Sequence, residues 1–226
     1  MLVRGDMTQS FDCSDAERRT AGIAAAVGAL KDGQLVVMPT DTVYGIGANA
    51  FDGTAVSSLL AAKGRGRDMP VPVLVGSWHT IDGLVYSVPA TARELIRAFW
   101  PGALSLVVRQ APSLQWDLGD ANGTVMLRMP LHPVAIELLR EVGPLAVSSA
   151  NVSGQPAAVT AADAQAQLGD LVDVYLEAGP SARQAASTIV DLTGPQPRVL
   201  RQGPITADAI AAVLDVDPDV LVAVED

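Results

Sequence analysis

A single mixed-sheet α/β domain is the fold class that the sequence predicts, on three observations. Stretches with strand-like and helix-like apolar patterns interleave along the chain. No internal repeat, low-complexity tract or shift of composition divides it. The 226 residues are 49% hydrophobic but only 4% aromatic, enough for a substantial core built mainly from Ala, Val, Leu and Ile. The domain is expected to span residues 1–226, with its core at about 15–213 and the N-terminal 14 residues and acidic C-terminal tail peripheral.

The elements follow in order. Ser14 and Glu17 have capping-box spacing and open a helix to about Lys31, stopped by Gly33. Gln34 to Met38 reads as a buried strand ended by Pro39, and a turn with Thr40, Asp41, Thr42, Tyr44 and two glycines follows. Asp52 caps a helix from Gly53 to Ala62, and Pro70 to Val75 is a short strand in which Pro72 favours an edge or a bulge. Thr91 and Glu94 repeat the capping-box spacing ahead of a helix to about Phe99, which Pro101-Gly102 ends. Leu104 to Arg109 and Thr124 to Met129 are β-rich and predict an antiparallel pair. Pro133 opens a helix to about Glu141, and Leu145 to Ser149 is an apolar strand. Thr160 caps a helix to Leu168. Strands follow at Val172 to Leu176, Thr188 to Leu192 and Arg198 to Leu200, and Thr206 caps the last helix.

Composition excludes several function classes. A formal charge of −10 argues against indiscriminate binding to RNA, DNA or acidic lipid, so any phosphate site must be local. One cysteine, Cys13, allows no intramolecular disulfide, and two histidines, His79 and His132, make no zinc constellation. Met1 to Asp15 lacks the apolar core of a signal peptide, and the apolar run Ala21 to Leu30 is too short for a membrane span. A cytoplasmic protein without membrane contact is the expectation.

Three stretches carry candidate chemistry. The exit of the first strand crowds Thr40, Asp41, Thr42 and Tyr44 where ligands of open α/β sheets tend to lie, although a plain Thr/Asp/Gly turn has the same composition. Lys63, Arg65 and Arg67 alternate with Gly64 and Gly66. Such a loop suits phosphate, the glycines admitting close backbone approach and the cations donating charge-assisted hydrogen bonds, but helix C-termini also gather cations. Ser148-Ser149-Ala150-Asn151-Val152-Ser153-Gly154 follows another strand and offers hydroxyls, an amide and backbone N–H groups to an anion or a base edge, or simply shapes a turn. Arg128 and Arg201 each suit a carboxylate clamp or a structural ion pair, and His132 reads as a helix-start residue. A phosphate-binding G-x-x-x-x-G-K-[ST] and a G-x-S-x-G nucleophile elbow are both absent. The Gly45-x-Gly47-x-x-Ala50 spacing lacks the acid that a dinucleotide fingerprint needs.

In order along the chain, Pro39-Thr40-Asp41-Thr42-Val43-Tyr44-Gly45, Lys63-Gly64-Arg65, Phe99-Trp100-Pro101-Gly102 and Arg128-Met129-Pro130-Leu131-His132-Pro133 resemble motifs of the YrdC-like family of threonylcarbamoyl-AMP synthases. So do Ser149-Ala150-Asn151-Val152-Ser153-Gly154, Ser187-Thr188-Ile189-Val190-Asp191 and Pro197-Arg198-Val199-Leu200-Arg201-Gln202-Gly203. Each is weak alone; seven in register are specific. The chain resembles the single-domain form of the family.

The resemblance implies a twisted, open mixed sheet with a positively charged cavity. It also implies a nucleotidyltransferase that joins L-threonine, bicarbonate and ATP into threonylcarbamoyl-AMP, with Mg2+ arriving on ATP. The product would go to a downstream threonylcarbamoyl-transferase complex acting on tRNA, and direct tRNA contact is allowed but not required. Carried over by motif, Thr40, Arg128 and Ser187 are threonine-binding positions. Lys63, Arg65, Ser149, Asn151 and Arg201 are ATP-binding positions, joined by Arg67 on proximity, and Lys63 and Arg65 would be catalytic. The chain departs from the family pattern at Gly66, at Leu74, where a histidine is frequent, and at Ala185-Ala186. An RNA-binding accessory is the rival from another class, which the negative charge disfavours, and a carbamoyl-phosphate-using relative is a third reading.

Overall fold

The computed structural model describes residues 8–221. The first half contains β1 (Gln9–Asp12), α1 (Ala16–Lys31), β2 (Val36–Met38), β3 (Gly45–Asn49), α2 (Gly53–Ala62), β4 (Val73–Leu74), α3 (Ala90–Phe99) and β5 (Leu104–Arg109). The second contains β6 (Thr124–Arg128), α4 (Pro133–Val142), β7 (Leu145–Ser149), α5 (Ala161–Leu168), β8 (Val174–Glu177), β9 (Thr188–Asp191), β10 (Arg198–Arg201) and α6 (Ala207–Leu214). The ten strands make one open sheet in the order β1-β8-β2-β3-β7-β4-β6-β5-β9-β10. Pairing is parallel at β1/β8, β2/β8, β4/β6 and β5/β9, and antiparallel elsewhere, including the expected β5/β6 pair. The mixed-sheet α/β class is therefore the observed one. Residues 1–7 and the acidic end, 222–226, lie outside the described residues.

Helix starts follow local side-chain chemistry, in places not as expected. Asp52, Thr160 and Thr206 cap their helices, Thr160 in a full capping box with Asp163. Asp15, not Ser14, caps α1, its carboxylate accepting from Arg18 N at 2.8 Å, while the Ser14 hydroxyl is spent on Asp12. The Thr91/Glu94 box does not form, because α3 already starts at Ala90 behind Pro89 and Thr91 lies inside the helix.

Three strand assignments also change. The two glycines expected to follow the turn, Gly45 and Gly47, belong to β3, paired with both β2 and β7. A Cβ on Gly45 would stand 2.7 Å from Val147 Cγ1, so these glycines serve close strand packing rather than a turn. Only Val73–Leu74 of the Pro70 to Val75 stretch is strand, although the Pro72 carbonyl still accepts from Val147 N at 2.8 Å. Gln9–Asp12, within the segment expected to be peripheral, forms the edge strand β1 beside β8.

Alternation along the strands sends neighbours to opposite faces. Leu104, Leu106 and Leu127 join Leu59, Leu95 and Ile210 in the larger core, under α2, α3, α5 and α6. On the other face Met38, Leu74, Leu145 and Val147 pack with Ile23 and Leu30 of α1 and Leu138 of α4. Helix α1 rests on β1, β8, β2 and β3. Beyond that cover the same face carries Ser105, Met126, Arg128 and Ile189 from β5, β6 and β9, and these line an open cavity. No helix among the described residues is long and apolar enough to cross a membrane.

Candidate active site

The cavity measures about 230 Å3 and is walled by the exits of several strands. Thr40, Thr42 and Tyr44 come from the β2–β3 connection, Ser148 and Ser149 from the end of β7, Ser187 from the start of β9 and Arg201 from the end of β10. Its lining includes three arginines, Arg65, Arg128 and Arg201, and no carboxylate. Burial disfavours the charged form of all three guanidiniums, the cost of gathering cations away from water. In a protein of net charge −10 this is a local site for an anion.

Arg128 is the best-held of the three. It is 6% exposed. Its Nε donates to Gly102 O at 2.9 Å, Nη1 to Thr42 Oγ1 at 2.8 Å and Nη2 to Asp41 Oδ1 at 2.5 Å. A guanidinium has five N–H donors, so these bonds leave one on each terminal nitrogen, enough in number for a two-bond contact to a carboxylate. Asp41, expected to be a turn or cap residue, is instead the buried counter-ion of Arg128 and also accepts from Leu131 N at 2.9 Å.

The Thr40 hydroxyl lies 2.6 Å from Val43 O, to which it donates, and accepts from Thr42 N at 3.2 Å. Since Thr40 has one proton and it goes to Val43, the 3.0 Å contact between the two threonine hydroxyls has Thr42 as donor. A directed chain therefore runs from Arg128 through Thr42 and Thr40 to the backbone. Ser187 is buried, 2.9 Å from Ser105 Oγ, and its carbonyl accepts from Nε and Nη2 of Arg201 at 3.0 and 2.8 Å. Thus Thr40, Arg128, Ser187, Arg65, Ser149 and Arg201 line one cavity.

Lys63 and Asn151 do not line it. Both are buried behind the wall, where Lys63 Nζ donates to the carbonyls of Ser149 and Asn151 at 2.6 and 2.7 Å. Asn151 Nδ2 in turn donates to Val152 O and Gln155 O. Burial, and secondarily Arg65, lower the Lys63 ammonium to about 8. These two residues, expected at the ATP site, here hold the Ser149 loop from behind. Arg67 departs further: its exposed guanidinium turns from the cavity to a forked pair with Asp117 and a longer contact with Asp120. Arg65 alone of the basic loop reaches the lining, touching Ser148 Oγ at 3.3 Å with its buried Nε unpartnered.

Sequence reasoning missed Ser105 as a site residue, and it placed Thr42 and Ser148 in candidate stretches without giving either a role. The signal for Ser105 was a hydroxyl alternating with core leucines in β5, which marks the face opposite that core. His132 starts α4, as expected, without a side-chain cap bond, and burial lowers its pKa. Leu74 also lines the cavity, in register with Arg128.

Comparison with known proteins points to one family. A Mycobacterium tuberculosis protein provisionally named threonylcarbamoyl-AMP synthase is 76% identical over 211 residues, covering 93% of this chain and 97% of its own. The Vibrio cholerae threonylcarbamoyl-AMP synthase is 36% identical over 182 residues, 79% of this chain and 95% of its own. The crystal structure of Pyrococcus abyssi Sua5 complexed with L-threonine superposes with a TM-score of 0.83 at 32% identity over 92% of this chain, which spans 60% of that longer one. The family model Sua5_yciO_yrdC, described as telomere recombination, matches residues 28–203, from the end of α1 to just past β10. That span takes in every wall of the cavity, and the chain belongs to the Sua5, YciO and YrdC family.

Proposed function

We infer that this chain is an L-threonylcarbamoyladenylate synthase, a nucleotidyltransferase forming threonylcarbamoyl-AMP and pyrophosphate from L-threonine, bicarbonate and ATP for N6-threonylcarbamoyladenosine modification of tRNA. The observation that carries the reading is Arg128 on the wall of a cavity with three arginines and no carboxylate, keeping two donors free for a carboxylate.

In this reading the threonine carboxylate pairs with Arg128, its polar end meets Thr40 and Ser187, and Leu74, Val147 and Ile189 form the apolar side of the site. The threonine amine and bicarbonate give a carbamate and water. A carbamate oxygen then forms a bond to the α-phosphorus while the bond from that phosphorus to the bridging oxygen breaks, and pyrophosphate leaves. Two anions must meet, so the work of the protein is positioning and charge stabilisation, with no covalent enzyme intermediate required. Arg65 and Arg201 face the phosphates from the cavity. Lys63 and Asn151 shape the Ser149 loop that meets them from behind.

Mg2+ fits as part of the ATP substrate, because the phosphates bring the oxygen ligands that the carboxylate-free lining does not offer. The cavity is smaller than the roughly 300–1,000 Å3 of a typical whole-ligand pocket, so it suits the amino acid and phosphates, with the base outside. An adjoining apolar hollow of about 160 Å3, sharing Pro70 and Met126 with it, suits the adenine. The labile product would pass to a separate threonylcarbamoyl-transferase complex acting on tRNA, and the chain's negative charge supports a handover without tight RNA binding. The test is pyrophosphate release from ATP with threonine and bicarbonate omitted in turn. Release that depends on both supports the assignment, and release indifferent to both overturns it.

A further inference from the structure

The Arg128 guanidinium is fixed by three groups of the protein, of which only Thr42 lines the cavity. Asp41 is 5% exposed and absent from the cavity lining, yet Asp41 Oδ1 receives both Arg128 Nη2 and Leu131 N. It therefore ties the arginine to the start of the segment that leads into α4. Thr42 is 2% exposed and receives Nη1, and because the Thr42 proton goes to Thr40 its oxygen is a committed acceptor toward Arg128. The third anchor, Gly102 O, is backbone and invariant to side-chain change. Each anchor uses one donor, and together they determine which two remain for the ligand.

We propose that Asp41 and Thr42 are positioning residues for carboxylate recognition, selecting which two Arg128 N–H groups face the amino acid and thereby discriminating an amino acid from its carboxyl-reduced analogue. The proposal rests on the reading of the cavity as a threonine site. If Thr42 loses its hydroxyl, Nη1–H in a buried site has no partner and the guanidinium turns to find one, at the expense of the free pair. With Asp41 uncharged, Arg128 keeps its charge but loses the charge-assisted bond that fixes Nη2, so the fork turns and the bidentate carboxylate contact becomes a single one. Neither change touches Arg65, Arg201 or the Ser149 loop.

The test measures threonine and threoninol, in which a hydroxymethyl group replaces the carboxylate, by calorimetry on wild type, D41N, T42V and T42S, with ATP titrated separately. The full chain is used, and circular dichroism confirms the fold of each variant. The expected result is a ratio of threoninol to threonine Kd that falls about 10-fold in D41N and T42V, the size of one lost charged hydrogen bond. ATP affinity stays within about twofold and T42S restores the wild-type ratio. A ratio unchanged in both D41N and T42V, with threonine still bound, overturns the proposal and leaves the function reading intact. Equal loss of threonine, threoninol and ATP affinity also overturns it, as the mark of a structural role alone. Wild type that binds no threonine overturns the function reading and the proposal together.

Discussion

Lys63 and Asn151 meet behind the cavity wall: Lys63 Nζ donates to the Asn151 carbonyl at 2.7 Å, and to that of Ser149 at 2.6 Å. A cation next to a phosphate-type loop thus holds the backbone of the opposite wall. The predicted effect of removing it rests on that hold.

K63A is expected to lower turnover by about 10²-fold or more, as loss of a preorganised anion site does. The direct mark of the mechanism is pH. Burial lowers the lysine pKa to about 8, so the ammonium that clamps both carbonyls is present below that pH and is lost as pH rises through it. ATP affinity of the wild type should fall between about pH 7 and about pH 9.5, while K63A binds weakly and with little pH dependence across the same range. Calorimetry with ATP alone avoids titration of the threonine amine. A flat wild-type profile would contradict the clamp.

Arg65 and Arg67 separate by orientation although one glycine lies between them. Arg65 reaches Ser148 in the cavity and Arg67 is paired outside it with Asp117. R65A should cost about 10²-fold or more in pyrophosphate release, with R67A within about threefold, as for an exposed ion pair. Near-normal release in R65A would remove it from the site.

The same contrast shows how far the sequence is legible. Strand and helix order follows from apolar periodicity, and most site residues follow from polar groups at strand exits, because both patterns are local. Gly45 and Gly47 were not legible as strand, since their need for glycine comes from Val147 on β7, about a hundred positions away in sequence. Asp41 was not legible as the partner of Arg128, and Arg67 was not legible as the partner of Asp117, for the same reason. Long-range pairing decides which of several equivalent charges is turned inward, and periodicity carries no record of it.

Thr40 donates to Val43 O and accepts from Thr42, so its hydroxyl transmits the orientation of the Arg128 clamp. T40A should weaken threonine binding about 10-fold by breaking this chain and leave ATP binding largely intact. Separate titrations with each ligand check it, and parallel losses for both ligands would contradict it.

Gly203 tests the Arg201 side of the cavity. A Cβ there would lie 2.3 Å from Ala186 O, 2.6 Å from Thr188 N and 2.7 Å from Ser187 C, all backbone atoms that no rotamer change can clear. Something in the chain must move. The Gly203 N–H also donates to Thr188 Oγ1 at 2.9 Å, joining the end of β10 to β9 beside the Ser187 carbonyl that holds Arg201. G203A should therefore cost about 1–3 kcal/mol as overpacking does, lowering Tm by about 2–12 °C. It should also weaken ATP binding, because Arg201 and Ser187 are forced apart. Gly194 is the control: the nearest neighbour of a Cβ there is Gln196 O at 3.8 Å, so G194A should stay within about 0.5 kcal/mol and leave ATP affinity unchanged. Thermal melts and ATP titrations on the two variants measure this directly. Equal behaviour of G203A and G194A would mean that the contact between β9 and β10 does not hold Arg201 in place.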